Sequence, residues 1–326
     1  MKAVVIRQFS EDSRTHQVEE VAEPIVGPDD VLINVKAASI NFPDLLVMSG
    51  KYQVLPERPF IPGKDAAGIV EAVGANVGTL QIGDHVVTHV ENGCFASRLS
   101  VSQARVYKIP VEMRFADAAA MGLVYQTANF ALMDRAGFRK GETVLISGAA
   151  GGVGLAGVQI AKGLGAKVLA GVTSESQAEA VRQSGADAVI DLSAPNLIES
   201  VREQVLHATD GKGADVFLDP MGGDVFDASI RALASRGRAV IIGFVSGKVP
   251  VIKGSYLLLK NISVSGMQWT DYQMRTPELV AEAQTELNRL YEHGLVRPRI
   301  TKTLPSNPSR THLLGSHQGG SLGNSS

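Results

Sequence analysis

The sequence predicts an α/β protein in which a mostly β part precedes a doubly wound, six-stranded parallel sheet. Three features carry this expectation. Up to about residue 121, short β-type runs are separated by Gly, Pro, Asn and Asp. From Thr143 onward, strands alternate with helices of roughly 10 to 15 residues, the pattern of βαβ units and a parallel sheet covered on both faces. The first strand of that alternation runs into its helix through the glycine-rich turn "GAAGGVG", Gly148 to Gly154.

Taken in order, "KAVVIRQF", "DVLINVKAASI", "AGIVEAVG", "GDHVVTHV" and "ARVYKIP" are the β-type runs of the first part. "FADAAAMGLVYQTANFALMDRAG" changes texture to Ala, Leu and Met at helical spacing and predicts one or two helices ending at Gly137. A buried-type strand is expected over 143–147, a helix over 152–164 and a second strand over 167–172. Ser174 is placed to cap the next helix, which reaches Ser184. "DAVIDL", "ADVFLD", "GRAVIIGF" and "NISVSGM" complete the six strands, with "NLIESVREQVLHAT" and "DVFDASIRALAS" as intervening helices. "PELVAEAQTELNRLYEHGLV" is amphipathic, with Pro277 near its start and Gly294 at its end. The closing stretch after Leu304 is rich in Ser, Gly, Pro and Asn and reads as a disordered tail.

Composition narrows the class. At 326 residues the chain exceeds the size at which one core stops growing, so two domains are expected. Hydrophobic residues at 44%, charged residues at 20% and a formal net charge of −2 describe a globular protein without the basic excess of a nucleic-acid binder. The single cysteine, Cys94, forbids an intrachain disulfide. "MKAVVIRQF" alternates like a strand rather than a signal peptide, and no apolar run approaches membrane-spanning length. A cytoplasmic protein is expected.

The turn at 148–154 has the context of a dinucleotide cradle, because free N–H groups at a helix start meet an anion. It departs from the strict G-x-G-x-x-G pattern: Ala149 takes the first glycine position, and Gly151 and Gly154 take the second and third. Ala150, Gly151, Gly152, Val153 and Gly154 are the expected phosphate-facing residues. The second strand ends in Thr173 and Ser174 where NAD binders carry an acid for the ribose hydroxyl, which favours a 2′-phosphate and hence NADP, with NAD left open. Arg182 is the nearest cation along the chain. His85, His89, Glu91 and Cys94 cluster in sequence, but on a strand His85 and His89 stand about 13 Å apart. They are expected to be polar strand residues, and no metal site is predicted.

With "AASINFPDLLVMSGKY", "RPFIPGKDAAGIVEAVGANV", "IGDHV", "AGFRKGETVLISGAAGGVGLAGVQIAKGLGAKV", "SGADAVID", "GADVFLDPMGG" and "LLLKNISVSG", the chain from Met1 to about Leu304 resembles the zinc-independent quinone oxidoreductase branch of the medium-chain dehydrogenase/reductase superfamily, which includes zeta-crystallin. The resemblance implies a GroES-like catalytic domain from residues 1–121 and 267–304, a Rossmann domain from 122–266, and an active cleft where they meet. It implies an NAD(P)H-dependent reductase of quinones or similar conjugated carbonyls, acting on a small-molecule acceptor, and a homodimer formed through the nucleotide-domain edge. In zinc-dependent members the metal ligands fall at positions matching Asn41, Lys64 and Leu123, none of which restores a site.

By the same resemblance Asn41 and Tyr52 line the cleft near the nicotinamide, Tyr52 as a proton donor or stacking surface. Thr127 begins the turn that contacts the nicotinamide, and Gly243 and Phe244 lie at the carboxyl edge of the fifth strand. Gln177 stands where members often carry a lysine that supports the 2′-phosphate. Lys64 is expected to be solvated and without a catalytic role. Residues 305–326 replace the helix and strand with which members close the catalytic domain, so an altered end, from a reading-frame slip near Ser306, is expected. Two rival readings stay open. One is an enoyl or alkenal reductase with the same cofactor; the other is a non-catalytic binder, since relatives serve as lens proteins and some bind RNA.

Overall fold

A computed structural model describes residues 1–12 and 15–304 of the chain; the expectations for residues 305–326 lie outside the described residues. The chain divides into two compact units. One is built from residues 1–123, 274–284 and the described residues from Pro298, the other from residues 124–273 and 285–297.

In the first unit, β1 (Lys2–Val5) pairs antiparallel with β2 (Gln17–Glu20). A five-stranded antiparallel sheet follows, made of β3 (Asp30–Ser39), β4 (Asp65–Val73), β5 (His85–His89), β6 (Arg98–Ser102) and β7 (Val106–Lys108) in the order β6-β3-β4-β5-β7. Alternation decides which face is buried: Val31 and Ile33 of β3 point into a core with Ala66, Val70, Val86 and Cys94, while Leu32 and Asn34 between them do not. β2 and β6 add to the runs expected from sequence; "QVEE" and "RLSVS" carry too few apolar residues to announce a strand. A short helix, α1 (Phe42–Met48), leaves the end of β3, and α2 (Phe115–Ala120) packs on β3 and β4.

In the second unit, six parallel strands stand in the order β10-β9-β8-β11-β12-β13. They are β8 (Thr143–Ile146), β9 (Lys167–Val172), β10 (Ala188–Asp191), β11 (Ala214–Asp219), β12 (Leu233–Ile241) and β13 (Ser263–Gly266). The helices are α3 (Leu123–Phe130), which runs into a π-turn over Ala131–Arg135, then α4 (Gly152–Gly163), α5 (Glu175–Gln183), α6 (Leu197–Ala208), α7 (Gly223–Ser229) and α8 (Gly254–Lys260). This is the doubly wound arrangement that the sequence predicts. Chain order reverses between β8 and β11, so their carboxyl ends flank the crevice in which open parallel sheets bind ligands.

Two boundaries differ from expectation. The helix expected to run to Ser235 gives way to a 3-10 turn at Ile230–Ala232, and β12 begins at Leu233. Leu233 is buried and pairs with Ala214, so core burial overrides the helical propensity of "RALAS". Two short helices, α8 and α9 (Trp269–Arg275), were not legible, since each occupies seven residues without a full amphipathic period. The final described helix, α10 (Pro277–Glu292), ends before Gly294, whose φ of 71° provides the left-handed turn. No described helix is long and apolar enough to cross a membrane.

The core of the second unit gathers around β11. Phe217 is fully buried, and its ring lies 5.9 Å from that of Phe226 on α7. Truncating it leaves a cavity that the flanking parallel strands cannot close. Phe217→Ala is therefore expected to lower the unfolding free energy by about 3–5 kcal/mol. Urea unfolding followed by circular dichroism measures this, and a loss below about 1 kcal/mol would contradict the placement.

Candidate functional site

In the second unit the turn after β8 is shaped by two glycines and a buried carboxylate. Gly148 has φ +55°, and a Cβ there would meet Met221 Sδ at 2.7 Å. Gly154 sits in the first turn of α4, where a Cβ would meet Gly148 O at 2.3 Å and Ala149 Cα at 2.6 Å. The helix therefore packs on its own entry turn at a separation only glycine permits. Gly151 is the N-cap of α4, and the intrahelical ladder starts with Leu155 N donating to Gly151 O at 2.8 Å. The N–H groups of Gly152, Val153 and Gly154 precede that bond, which is the geometry of an anion site. Ala149 is buried behind the turn, and Ala150 is half-buried.

Asp219, at the end of β11, ties the two switch strands together. Its Oδ1 accepts Ser147 Oγ at 2.5 Å and Met221 N at 3.1 Å, and its Oδ2 accepts Gly222 N at 2.9 Å. Burial pushes this carboxyl up from its ordinary range, against those three hydrogen bonds. At the end of β9, Thr173 N and Oγ1 donate to Gln177 Oε1 at 2.9 and 3.1 Å, while Ser174 caps α5 by accepting Gln177 N at 3.4 Å. Thr173 and Ser174, both exposed, are thus tied to the half-buried Gln177 in the first turn of α5 as one small polar cluster. Arg182 is bound to Glu175 at 2.6 Å instead of extending from this loop as a free cation. Gly243 and Phe244 follow β12, with Gly243 N donating to Asp219 O at 3.4 Å, on the same side as the glycine turn. Thr127, expected at the start of a turn, lies inside α3 and is buried, because apolar spacing carries that helix through to Phe130.

In the first unit, Asn41 is the N-cap of α1 and is 8% exposed. Its N–H donates to Asp44 Oδ2 at 2.7 Å, and its side-chain Nδ2 donates to Ser39 Oγ at 3.0 Å and Asp65 Oδ2 at 2.8 Å. Tyr52 is half-buried, with Lys64 Nζ 5.0 Å from its ring centroid; burial raises its hydroxyl pKa, so it stays a proton donor. Lys64 is not solvated as expected. It is 3% exposed, and its Nζ donates to Glu91 Oε2 at 2.6 Å and Glu91 O at 3.3 Å. A buried ammonium requires such a partner, and Lys64 lies buried in the bend immediately before β4.

Two family descriptions match the chain: "Alcohol dehydrogenase GroES-like domain" over residues 27–112 and "Zinc-binding dehydrogenase" over residues 152–285. The "Quinone oxidoreductase-like protein 2 homolog" of Nematostella vectensis is 36% identical over 274 residues, covering 83% of this chain and 74% of that one. The "Quinone oxidoreductase" of Lama guanicoe is 32% identical over 99% of this chain and 96% of its own. The chain belongs to the quinone oxidoreductase branch of the medium-chain dehydrogenase/reductase superfamily. Among solved structures, the Escherichia coli quinone oxidoreductase complexed with NADPH superposes with a TM-score of 0.81 at 29% identity, over 92% of this chain and 90% of that one.

The superfamily's zinc does not fit this member. Of the three matching positions, Lys64 presents an ammonium without a lone pair, Asn41 turns its amide N–H groups toward acceptors, and Leu123 is apolar. No group of three or more His, Cys, Asp or Glu among the described residues could hold a metal ion. Cys94 is fully buried, and burial raises its thiol pKa well above the ordinary value. His85 lies with its ring 4.8 Å from that of Phe115. His89, expected to be an ordinary polar strand residue, is fully buried: its Nδ1 lies 2.9 Å from Asp65 Oδ1, its Nε2 lies 3.2 Å from Gln284 Oε1, and its ring stacks on Tyr107.

Sequence reasoning missed Ser39, Asp44, Asp65 and His89. For Asp44 a signal existed, since "NFPD" places an acid three residues after an Asn N-cap, the capping-box spacing. Burial raises the Asp44 carboxyl from 3.8 to about 7, with the Asn41 N–H opposing and the Asp65 charge adding to the rise. A folded-state pKa above the unfolded one adds stability in full below the unfolded value, and that stability is lost as pH rises toward about 7. The melting temperature is therefore expected to fall more between pH 5 and pH 8 in the wild type than in Asp44→Asn, measured by thermal scans at fixed ionic strength. Parallel pH profiles for the two proteins would refute it.

Proposed function

We propose that the protein reduces quinones, or similar conjugated carbonyl acceptors, with NADPH and without a metal ion. The observation that carries this reading is the combination of an intact anion-binding turn at 148–154 with a donor set at positions 41, 64 and 123 that offers no Lewis acid. Bound NADPH supplies the hydride. In the second unit, the N–H groups of Gly152, Val153 and Gly154 receive the pyrophosphate, with Ala150 and Gly151 shaping the turn that presents them, the Gly151 N–H itself donating to Gly148 O at 3.0 Å. Thr173, Ser174 and Gln177 meet the adenosine ribose and its 2′-phosphate, while Thr127, Gly243 and Phe244 orient the nicotinamide end. In the first unit, Asn41 positions the acceptor and Tyr52, kept protonated by burial, donates the proton.

The acceptor class follows from the chemistry of those residues. A simple ketone or aldehyde concentrates charge on one oxygen as hydride arrives, and without a metal this site has little to stabilise it. A quinone spreads the charge over its conjugated system, so orientation and one proton suffice. NADPH is expected to bind saturably and to be oxidised only on addition of a quinone, at a rate unchanged by a zinc chelator, as followed by absorbance at the reduced-nicotinamide band. Turnover with enones alone would assign the chain to enoyl or alkenal reduction. Binding without turnover on either acceptor would make it a non-catalytic nucleotide binder.

We further propose a homodimer formed along β13. Among the described residues this strand pairs with β12 alone, and the neighbouring segment exposes Val249, Val251, Leu258 and Leu259, the two leucines at 77% and 80%. An open strand edge beside an apolar ribbon calls for a cover, and a second copy supplies one with its own edge. Light scattering on the eluting protein is expected to give twice the chain mass, and Leu258→Glu with Leu259→Glu to give a folded monomer. A monomeric wild type would end this proposal.

A further inference from the structure

The Asp65 carboxylate is fully buried and accepts from four donors drawn from four parts of the first unit. Oδ2 takes Ser39 Oγ at 3.0 Å and Asn41 Nδ2 at 2.8 Å; Oδ1 takes His89 Nδ1 at 2.9 Å and Leu123 N at 3.0 Å. A carboxylate has about four lone-pair directions, so this one is saturated and acts as acceptor only. It packs directly on the chain at Gly122, where a Cβ would meet its Cγ and Oδ1 at 2.3 Å. The position is thus specified from all sides, by β3, the loop to α1, β5 and the turn before α3. Ser39 and Asn41 share the same oxygen and also bond to each other, which leaves the Asn41 amide one orientation.

We propose that Asp65 is a positioning residue: it fixes the amide of Asn41 and the 122–123 turn in a single frame, and the reaction depends on it through Asn41. The inference rests on the reading of Asn41 as the group that meets the acceptor. The Asp65 oxygens are taken up by Ser39, Asn41, His89 and Leu123, so it acts through the groups it holds. Its effect is orientation, and a misplaced group costs rate even when the fold survives.

Replacing Asp65 by Asn keeps the shape but puts an NH2 group opposite one pair of donors, either Ser39 with Asn41 or His89 with Leu123, so the four-donor frame around Asn41 and the 122–123 turn is broken on one side. Quinone turnover by Asp65→Asn is expected to fall about 10²-fold in kcat, with KM for NADPH unchanged. Asn41→Ala is expected to fall comparably, and Asp65→Asn combined with Asn41→Ala to be no slower than Asn41→Ala alone. The amide resonances of Leu123 and the Asn41 side chain are expected to be protected from exchange in the wild type, where both donate to Asp65, and to lose protection in Asp65→Asn. Penalties that multiply in the double variant would overturn the proposal, as would a normal kcat in Asp65→Asn with an impaired Asn41→Ala. A fully active Asn41→Ala would defeat the reading of Asn41 instead, and the exchange data would then decide alone whether Asp65 holds the frame. Should Asp65→Asn not fold, Ser39→Ala carries the same test: a several-fold loss of kcat that disappears in the Asn41→Ala background.

Discussion

A carboxylate taken out of water must find a donor for each of its lone pairs, and this requirement organises both units of the protein. In the first unit Asp65 collects donors from β3, the loop before α1, β5 and the turn before α3. In the second, Asp219 collects Ser147 from the end of β8 and two backbone N–H groups from the turn after β11. In each case the buried charge is less an isolated stabiliser than a clamp. Losing the carboxylate would strand all of its donors without an acceptor, so the segments are held as a set.

Around Asp219 the clamp acts where the order of the parallel strands reverses. β8 and β11 are neighbours in the sheet but 72 residues apart in sequence at the Ser147–Asp219 contact. Pinning their carboxyl ends sets the exit of the glycine turn, and Gly154 then lets α4 fold back against that turn. A helix start is thereby presented with its N–H groups outward. The candidate anion site is a by-product of close packing, which explains why the turn tolerates Ala149 in place of the first glycine of the usual pattern: the left-handed residue that shapes it is Gly148.

In the first unit, the positions that match the zinc ligands of other superfamily members carry a different polar chemistry. Lys64, buried against Glu91 and the ring of Tyr52, carries a positive charge into the same region without the lone pair that coordination would need. Asn41 and the Leu123 N–H are held by a carboxylate, and Asp44 lies buried beneath the α1 N-terminus with its acidity weakened by that burial. Such a site offers fixed hydrogen-bonding groups and one phenol rather than a Lewis acid, which matches an acceptor able to delocalise its own charge.

Much of this was legible in the residues. Periodicity distinguished a β-rich part from a strand–helix alternation, and glycine and serine chemistry marked the cradle turn and the α5 cap, because these depend on neighbours within a few residues. Segments too short to show a period, such as β6, α8 and α9, were not. Nor were Asp65 and His89: one looked like a polar residue before an apolar run, the other like a polar residue on a strand. What the sequence determined by itself was therefore the local conformations and the family pattern built from them. What only the tertiary structure decided was the partners of its buried polar groups. A lysine or histidine carries the same side chain whether solvated or enclosed, and which it becomes is set by strand pairings between residues far apart in the chain, as when β4 brings Asp65 alongside β3 and β5.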